Sequence, residues 1–252
     1  MRGLRKDFLY MRSIAIVVFI LLTFNICQSQ MRENFFEGSG FSLMPSINYI
    51  TSSSIQLNSN SNNIIEQNIT EELKGGIGYG IALRKRFGED LILGISTEYI
   101  KIEDSDLSYR VFNGASSVNL RVKETIWAIP VEISAFYKLP RFANEFGLYL
   151  GGGVGIYFGD RERQILNLKS ETKSTEQALN FHIATGAEYR ILSSLSAVFE
   201  VTFRECEYIV ESEFPTDQII VNGTRYSIQQ NYNSKIYLDG LKLGLGLNYY
   251  FN

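Results

Sequence analysis

From Leu241 to Phe251 the chain alternates without a break. Odd positions are Leu241, Leu243, Leu245, Leu247, Tyr249 and Phe251; even ones are Lys242, Gly244, Gly246, Asn248 and Tyr250. Successive side chains of a strand point to opposite faces, so this segment has one apolar face ending in aromatics and one face of glycine and polar groups. In a soluble sandwich the polar face meets water and carries charge and threonine. A face made mostly of glycine suits the inside of a narrow barrel, and the apolar face then looks outward into lipid.

The same period recurs along the chain. Phe41, Leu43, Ile47 and Tyr49 open a first strand. Ile77, Tyr79, Ile81, Leu83 and Phe87 face away from Gly76, Gly78, Gly80, Arg84 and Arg86 in a second. Further strands start at Leu91, cover Trp127 to Lys138 and Phe146 to Gly159, and resume at Leu179 and Leu195, before the last one. Short turns at Gly88-Glu89-Asp90, Pro140 to Glu145 and Leu192-Ser193-Ser194 alternate with long segments. Those are a polar loop from Thr51 to Glu72, a reach to Asn113-Gly114, a charged loop from Asp160 to Gln177, and a connection from Glu205 to Ser234. Asn-Gly pairs at 113 and 222 signal two-residue hairpins, since both positions of a type I′ turn need positive φ. The expected fold is all-β: a transmembrane, antiparallel, up-and-down β-barrel of about eight strands, or ten if one such hairpin joins the wall. Short turns on one side and long loops on the other fit the periplasmic and outer faces of a bacterial outer membrane.

The outward aromatics fall at two levels. Phe41, Phe87, Tyr137, Phe146, Tyr189 and Phe251 lie near the short turns; Tyr49, Tyr79, Tyr99, Trp127, Phe181 and Phe203 lie eight to ten residues away. At about 3.3 Å per residue and a tilt near 40°, the levels are roughly 20 to 25 Å apart, the height of an apolar band between two interfacial girdles.

Only the N-terminus offers a long apolar run, Ser13 to Phe24 behind Arg2, Arg5, Lys6 and Arg12. It is shorter than the roughly 20 residues of a membrane-spanning helix and reads as a secretory signal peptide over residues 1–29. A short lead, 30–37, would then precede a barrel domain over 38–252. Removal of Cys27 with the signal leaves Cys206 without an intramolecular disulfide partner. With net charge −3 over 252 residues and no basic patch, nucleic acid is not an expected partner.

The blocks W-A-I-P-V-E-I-S-A-F-Y-K (127–138) and F-G-L-Y-L-G-G-G-V-G-I-Y-F-G (146–159) resemble the porin-like outer-membrane β-barrel family of Bacteroidetes, which includes the PorT-type proteins. The resemblance extends over nearly the whole mature chain. It implies a non-enzymatic barrel among outer-membrane lipid and lipopolysaccharide, presenting loops to envelope protein partners, as a component of a secretion or envelope assembly machine. Gly246, Tyr249 and Phe251 resemble the terminal-strand signal read by the barrel-assembly machinery, with the departure that Asn252 follows the aromatic.

Inward positions carry Arg84, Arg86, Glu98, Glu132, Glu188, Arg190, Glu200, Arg204 and Lys242. Isolated charges in a narrow lumen are costly, so these are expected to pair and plug the interior, with Glu200 and Lys242 as one pair. Eight strands leave no open channel once side chains fill the middle, which argues against a general porin, though a small-solute or ion channel is the competing reading. An envelope lipid-modifying enzyme would have to use His182, the only histidine, beside Glu132 and Glu188. The pattern of a known barrel deacylase fails at Ala184, where it has serine. No cofactor or metal is expected: Gly151-Gly152-Gly153 lacks the helix of a phosphate loop.

Overall fold

A computed structural model describes residues 40–251 apart from 88, 89, 141, 142 and 144. The signal segment 1–29, the lead 30–37, Gly88-Glu89, Asn252 and part of the turn at 140–145 lie outside the described residues.

Eight strands close on themselves: β1 (Phe41–Ile50), β4 (Gly76–Phe87), β5 (Leu91–Phe112), β6 (Ser117–Lys138), β7 (Phe146–Ile165), β10 (Ala178–Leu192), β11 (Leu195–Glu205) and β16 (Gly240–Tyr250). Each pairs antiparallel with the next, and β16 returns to β1 through Ser46↔Gly246 and Ile47↔Leu245. Alternation decides which face each residue takes. Ile47, Tyr79, Ile95, Ile133, Phe181, Ile183, Phe203 and Leu245 are exposed on the outside, whereas Arg84, Glu98, Glu132, Asn180, Arg204 and Asn248 are buried within. Lys85 Nζ sits 4.9 Å from the Phe41 ring centre and 5.0 Å from that of Phe87, a cation held among outward aromatics at the short-turn level.

At the opposite end the wall does not stop at the aromatics. β5, β6 and β7 run on, and facing them stands a second sheet in the order β3 (Thr70–Leu73), β2 (Ser53–Gln56), β15 (Asn231–Tyr237), β12 (Glu207–Glu213) and β9 (Glu171–Thr175). Each strand of that sheet continues a barrel strand after a break of one or two residues. At one break Gly240 takes φ +119, where a Cβ would lie 2.6 Å from Ser52 Oγ; beside it Asp239 Oδ1 accepts the Cys206 amide at 2.9 Å. The two walls enclose an apolar core that includes Ile55, Val122, Ile165, Val210, Phe214 and Ile236. Burying each such side chain contributes roughly 1.5–3 kcal/mol.

This extension corrects the loop expectations. The segments 160–177, with β8 (Leu168–Lys169), and 205–234 are largely strands, whereas 51–72 stays mostly loop around β2, the start of β3 and one helical turn, α1 (Ile64–Gln67). The hairpin β13 (Gln218–Val221) and β14 (Thr224–Ser227) meets the wall only at Ser227↔Phe112, so the barrel has eight strands and not ten. Asn222 (φ +50) and Gly223 (φ +79) form the two-residue turn expected of them. The first Asn-Gly pair does not: a four-residue loop links β5 to β6, only Gly114 is at positive φ, and Asn113 Oδ1 instead accepts the amides of Ala115 (3.0 Å) and Ser116 (2.7 Å). An asparagine side chain can substitute for a backbone acceptor in this way.

Candidate functional site

The lumen is filled in layers. Nearest the short turns, Glu188 accepts from the Tyr250 hydroxyl at 2.5 Å and from Asn248 Nδ2 at 3.2 Å, with the Arg86 guanidinium 5.7 Å from the Tyr250 ring. Above, Arg84 donates to Glu200 at 2.6 Å and to the Tyr149 hydroxyl at 3.0 Å, while that hydroxyl donates to Glu200 at 2.8 Å. The guanidinium is flanked by Phe136 (4.8 Å) and Tyr149 (5.3 Å). Higher still, Glu98 accepts from Arg204 at 2.6 Å and from Asn48 Nδ2 at 2.5 Å, and lies 3.8 Å from Lys242 Nζ. Arg204 also donates to Tyr157, whose hydroxyl donates to Glu132 at 3.0 Å.

The expected pair of Glu200 and Lys242 is therefore replaced. Arg84 reaches across from β4 and takes Glu200, and Lys242 turns to Glu98. Arg204 is the closer and more deeply buried partner of Glu98. Arg204→Met is expected to destabilise the barrel by about 3–5 kcal/mol, as removal of one member of a buried pair does. Lys242→Met should cost less than half as much, checked by apparent melting temperature in detergent.

Sequence reasoning placed no nucleophile beside His182. The structure places Ser134 there: its Oγ is 2.9 Å from His182 Nε2, and Glu132 Oε1 is 3.8 Å from Nδ1. The order serine, histidine, carboxylate is that of a hydrolase triad. Glu132 Oε1, however, is already engaged by Tyr157 and by Asn180 Nδ2 at 3.2 Å. The cavity bordered by these residues measures about 40 Å³, room for a few water molecules. Ser134, His182 and Glu132 belong to the hydrogen-bond network that fills the lumen.

A second buried charge cluster lies in the extension. Glu124 accepts from Arg161 Nε (3.1 Å) and Nη2 (3.0 Å) and from Arg163 Nη1 (2.8 Å), and Arg163 also reaches Glu71 at 3.2 Å. Arg161, Arg163 and Glu124 side chains are 0% exposed. Burial opposes the charge on Arg163, but Glu124 and Glu71 outweigh it and its pKa is raised. Arg161 donates further to Ser234 at 2.6 Å, and both guanidinium groups lie against the Tyr232 ring at 5.6 and 5.7 Å. A sequence signal existed: Arg161, Arg163 and Ile165 alternate with Asp160, Glu162 and Gln164, continuing the period of β7.

Cys206, beyond the outer aromatic level, is 1% exposed, and burial pushes its thiol up to about 12. At pH 8 the thiolate fraction is then on the order of 10⁻⁴. N-Ethylmaleimide is expected to leave Cys206 of the folded protein unmodified at pH 8 and to label it fully after heating in SDS, read by mass spectrometry.

Among the described residues no group of three or more His, Cys, Asp or Glu is arranged to hold a metal ion. The family model described as outer membrane protein beta-barrel domain matches residues 17–251. The solved structure of OprG from Pseudomonas aeruginosa is similar at TM-score 0.57 and 11% identity, over 86% of this chain and 99% of that one. Neisserial surface protein A (TM-score 0.45, 11% identity, 84% and 97%) and Ail of Yersinia pestis (0.40, 12%, 85% and 100%) are also similar. No curated protein matches the chain.

Proposed function

From the premise that this chain belongs to the outer membrane protein beta-barrel domain family and resides in the bacterial outer membrane, we propose that it is a non-enzymatic, non-conducting barrel whose folded extension is its working part. The observation that carries the reading is the closure of the lumen. Paired charges fill the barrel, and directly above them stands the apolar core of Ile50, Ile100, Ala128, Leu238 and their neighbours. Ions entering the lumen would have to cross a packed apolar layer. The same core makes the extension a built structure instead of a set of lids, which suits the presentation of a fixed surface to partners outside a Gram-negative cell.

In this reading the outward aromatics seat the chain among outer-membrane lipid and lipopolysaccharide, and the barrel-assembly machinery reads Gly246, Tyr249 and Phe251 during insertion. The likeness to PorT-type proteins points to work within a secretion or envelope assembly machine. Planar-bilayer recording with the purified protein tests the closure: no conductance steps are expected above background. Steps whose size changes in Arg84→Met or Arg204→Met would overturn it in favour of a channel. Cross-linking in intact cells, followed by capture through a tag placed after Gln30, tests the machine role. A stoichiometric set of envelope partners is expected, and recovery of the barrel alone would count against it.

A further inference from the structure

At the outer rim of the extension, the chain after β2, the start of β15 and the facing part of β12 leave a groove of about 410 Å³. That volume is within the range of small-ligand sites, roughly 300–1,000 Å³. Its lining is unusual in chemistry: Asn58, Asn60, Gln229, Asn231 and Asn233 contribute carboxamides, Ser61 and Ser212 contribute hydroxyls, and no aliphatic side chain takes part. Tyr232, the single aromatic there, is 3% exposed and offers no open ring face.

The amides are held in place. Asn58 and Gln229 bond reciprocally, Nδ2 to Oε1 at 3.1 Å and Nε2 to Oδ1 at 2.6 Å, and Gln229 Nε2 also donates to the Asn231 carbonyl at 2.8 Å. Ser59 Oγ donates to Asn233 Oδ1 at 3.3 Å. Asn60 and Asn231, in contrast, make no side-chain hydrogen bond among the described residues. Each presents a donor and an acceptor to the groove. At its edge Lys173 pairs with Glu213 at 3.2 Å, and Glu211, which accepts from Ser174 at 2.8 Å, adds a negative charge that disfavours an anion.

A peptide partner would want an apolar or aromatic anchor pocket, and an anionic ligand would want unpaired arginine or lysine. The groove supplies neither. Vicinal sugar hydroxyls each donate and accept, and so does a carboxamide. We propose that this groove binds a neutral oligosaccharide, with Asn60 and Asn231 reaching its hydroxyls; the inference rests on the reading of the extension as the part that meets partners.

The test uses the full mature protein in a detergent without a sugar headgroup. Maltohexaose, cellohexaose, chitohexaose and mannohexaose are offered as probes, with a sulfated hexasaccharide as the charged control, and binding is read by saturation-transfer NMR and calorimetry. At least one neutral hexasaccharide is expected to bind with micromolar to low-millimolar affinity. The double variant Asn60→Ala/Asn231→Ala is expected to weaken it about tenfold or more while the heat-shifted band of the folded barrel is kept. Absence of binding by every neutral probe, binding by the sulfated control alone, or equal binding by the double variant would overturn the proposal. If cross-linked envelope partners are recovered equally well with the double variant while no sugar binds, the glycan proposal falls and the partner-presenting reading stands.

Discussion

Glu124→Leu is expected to unfold the extension while leaving the barrel inserted. Glu124 is the acceptor that Arg161 and Arg163 share, at 2.8–3.1 Å, where no water reaches any of the three side chains. Without it two guanidinium groups stay buried with one carboxylate, Glu71, between them. Removing one partner from such a site costs about 3–5 kcal/mol, a large share of the 5–15 kcal/mol that holds a typical domain. The loss falls on the extension because the cluster ties β6 and β7 to Ser234 on the facing sheet. Proteinase K added to intact cells should then cut within 160–177 or 205–238, positions it leaves whole in the parent protein. The membrane-protected fragment should still shift on heating in SDS gels. A variant in which Arg161 and Arg163 are also replaced by methionine removes the orphaned charges together and should regain most of the resistance. An unchanged cleavage pattern in the single variant would show that the cluster does not hold the walls together.

Gly186→Val is expected to act on the barrel itself. Gly186 faces Tyr149 across the ladder between β10 and β7, and a Cβ there would overlap the phenol ring. The ring cannot swing aside freely, since its hydroxyl joins Arg84 to Glu200 and its edge packs on Phe136 at 5.3 Å between centres. Valine therefore either displaces Tyr149, leaving Arg84 and Glu200 short of a partner, or pushes the two strands apart. The yield of heat-shifting, folded barrel should drop at least tenfold. Tyr149→Phe keeps the ring and loses only the hydroxyl, so it should fold with a lower apparent melting temperature. Folded protein at parental yield from Gly186→Val would contradict the close packing of glycine under tyrosine.

The barrel was legible because lipid and lumen impose opposite chemistry on alternate residues. Strands such as β4 and β16 therefore declare both their extent and their facing. The Asn222-Gly223 turn was legible from the backbone needs of its two residues, whereas Asn113 escaped because its side chain organises a four-residue loop in which only Gly114 takes positive φ. Of the extension, the reach of β5 to Asn113-Gly114 was legible, whereas the strands within 160–177 and 205–234 were read as loops for a physical reason. Outside the membrane its outer face meets water, so β9, β12 and β15 carry serine, glutamate and asparagine, and the inward set mixes Val210 and Ile236 with Ser212 and Ser234. Arg161 and Arg163 looked like a solvated charge run until Glu124 and Glu71, far away in sequence, came to meet them. Arg84, Glu98, Glu132, Glu188, Arg204 and Lys242 are buried, but partners such as Arg84 with Glu200 depend on which strands lie opposite across the barrel. Alternation alone does not encode that distance.

The breaks between barrel and extension have a mechanical meaning. β5, β6 and β7 pass the aromatic level as continuous strands, like a stiff mast, whereas all five strands of the facing sheet are jointed there, near 51–52, 74–75, 176–177, 206 and 238–239. A pull applied to the tip on the jointed side, where the amide-lined groove lies, loads hydrogen bonds such as Ser52 Oγ to the Asp239 carbonyl (3.0 Å) and Asp239 to the Cys206 amide before it loads the eight-stranded ladder. With the amides of Thr51 and Leu238, which donate to the Leu241 and Cys206 carbonyls at 2.9 Å, those few bonds carry the load across the joints.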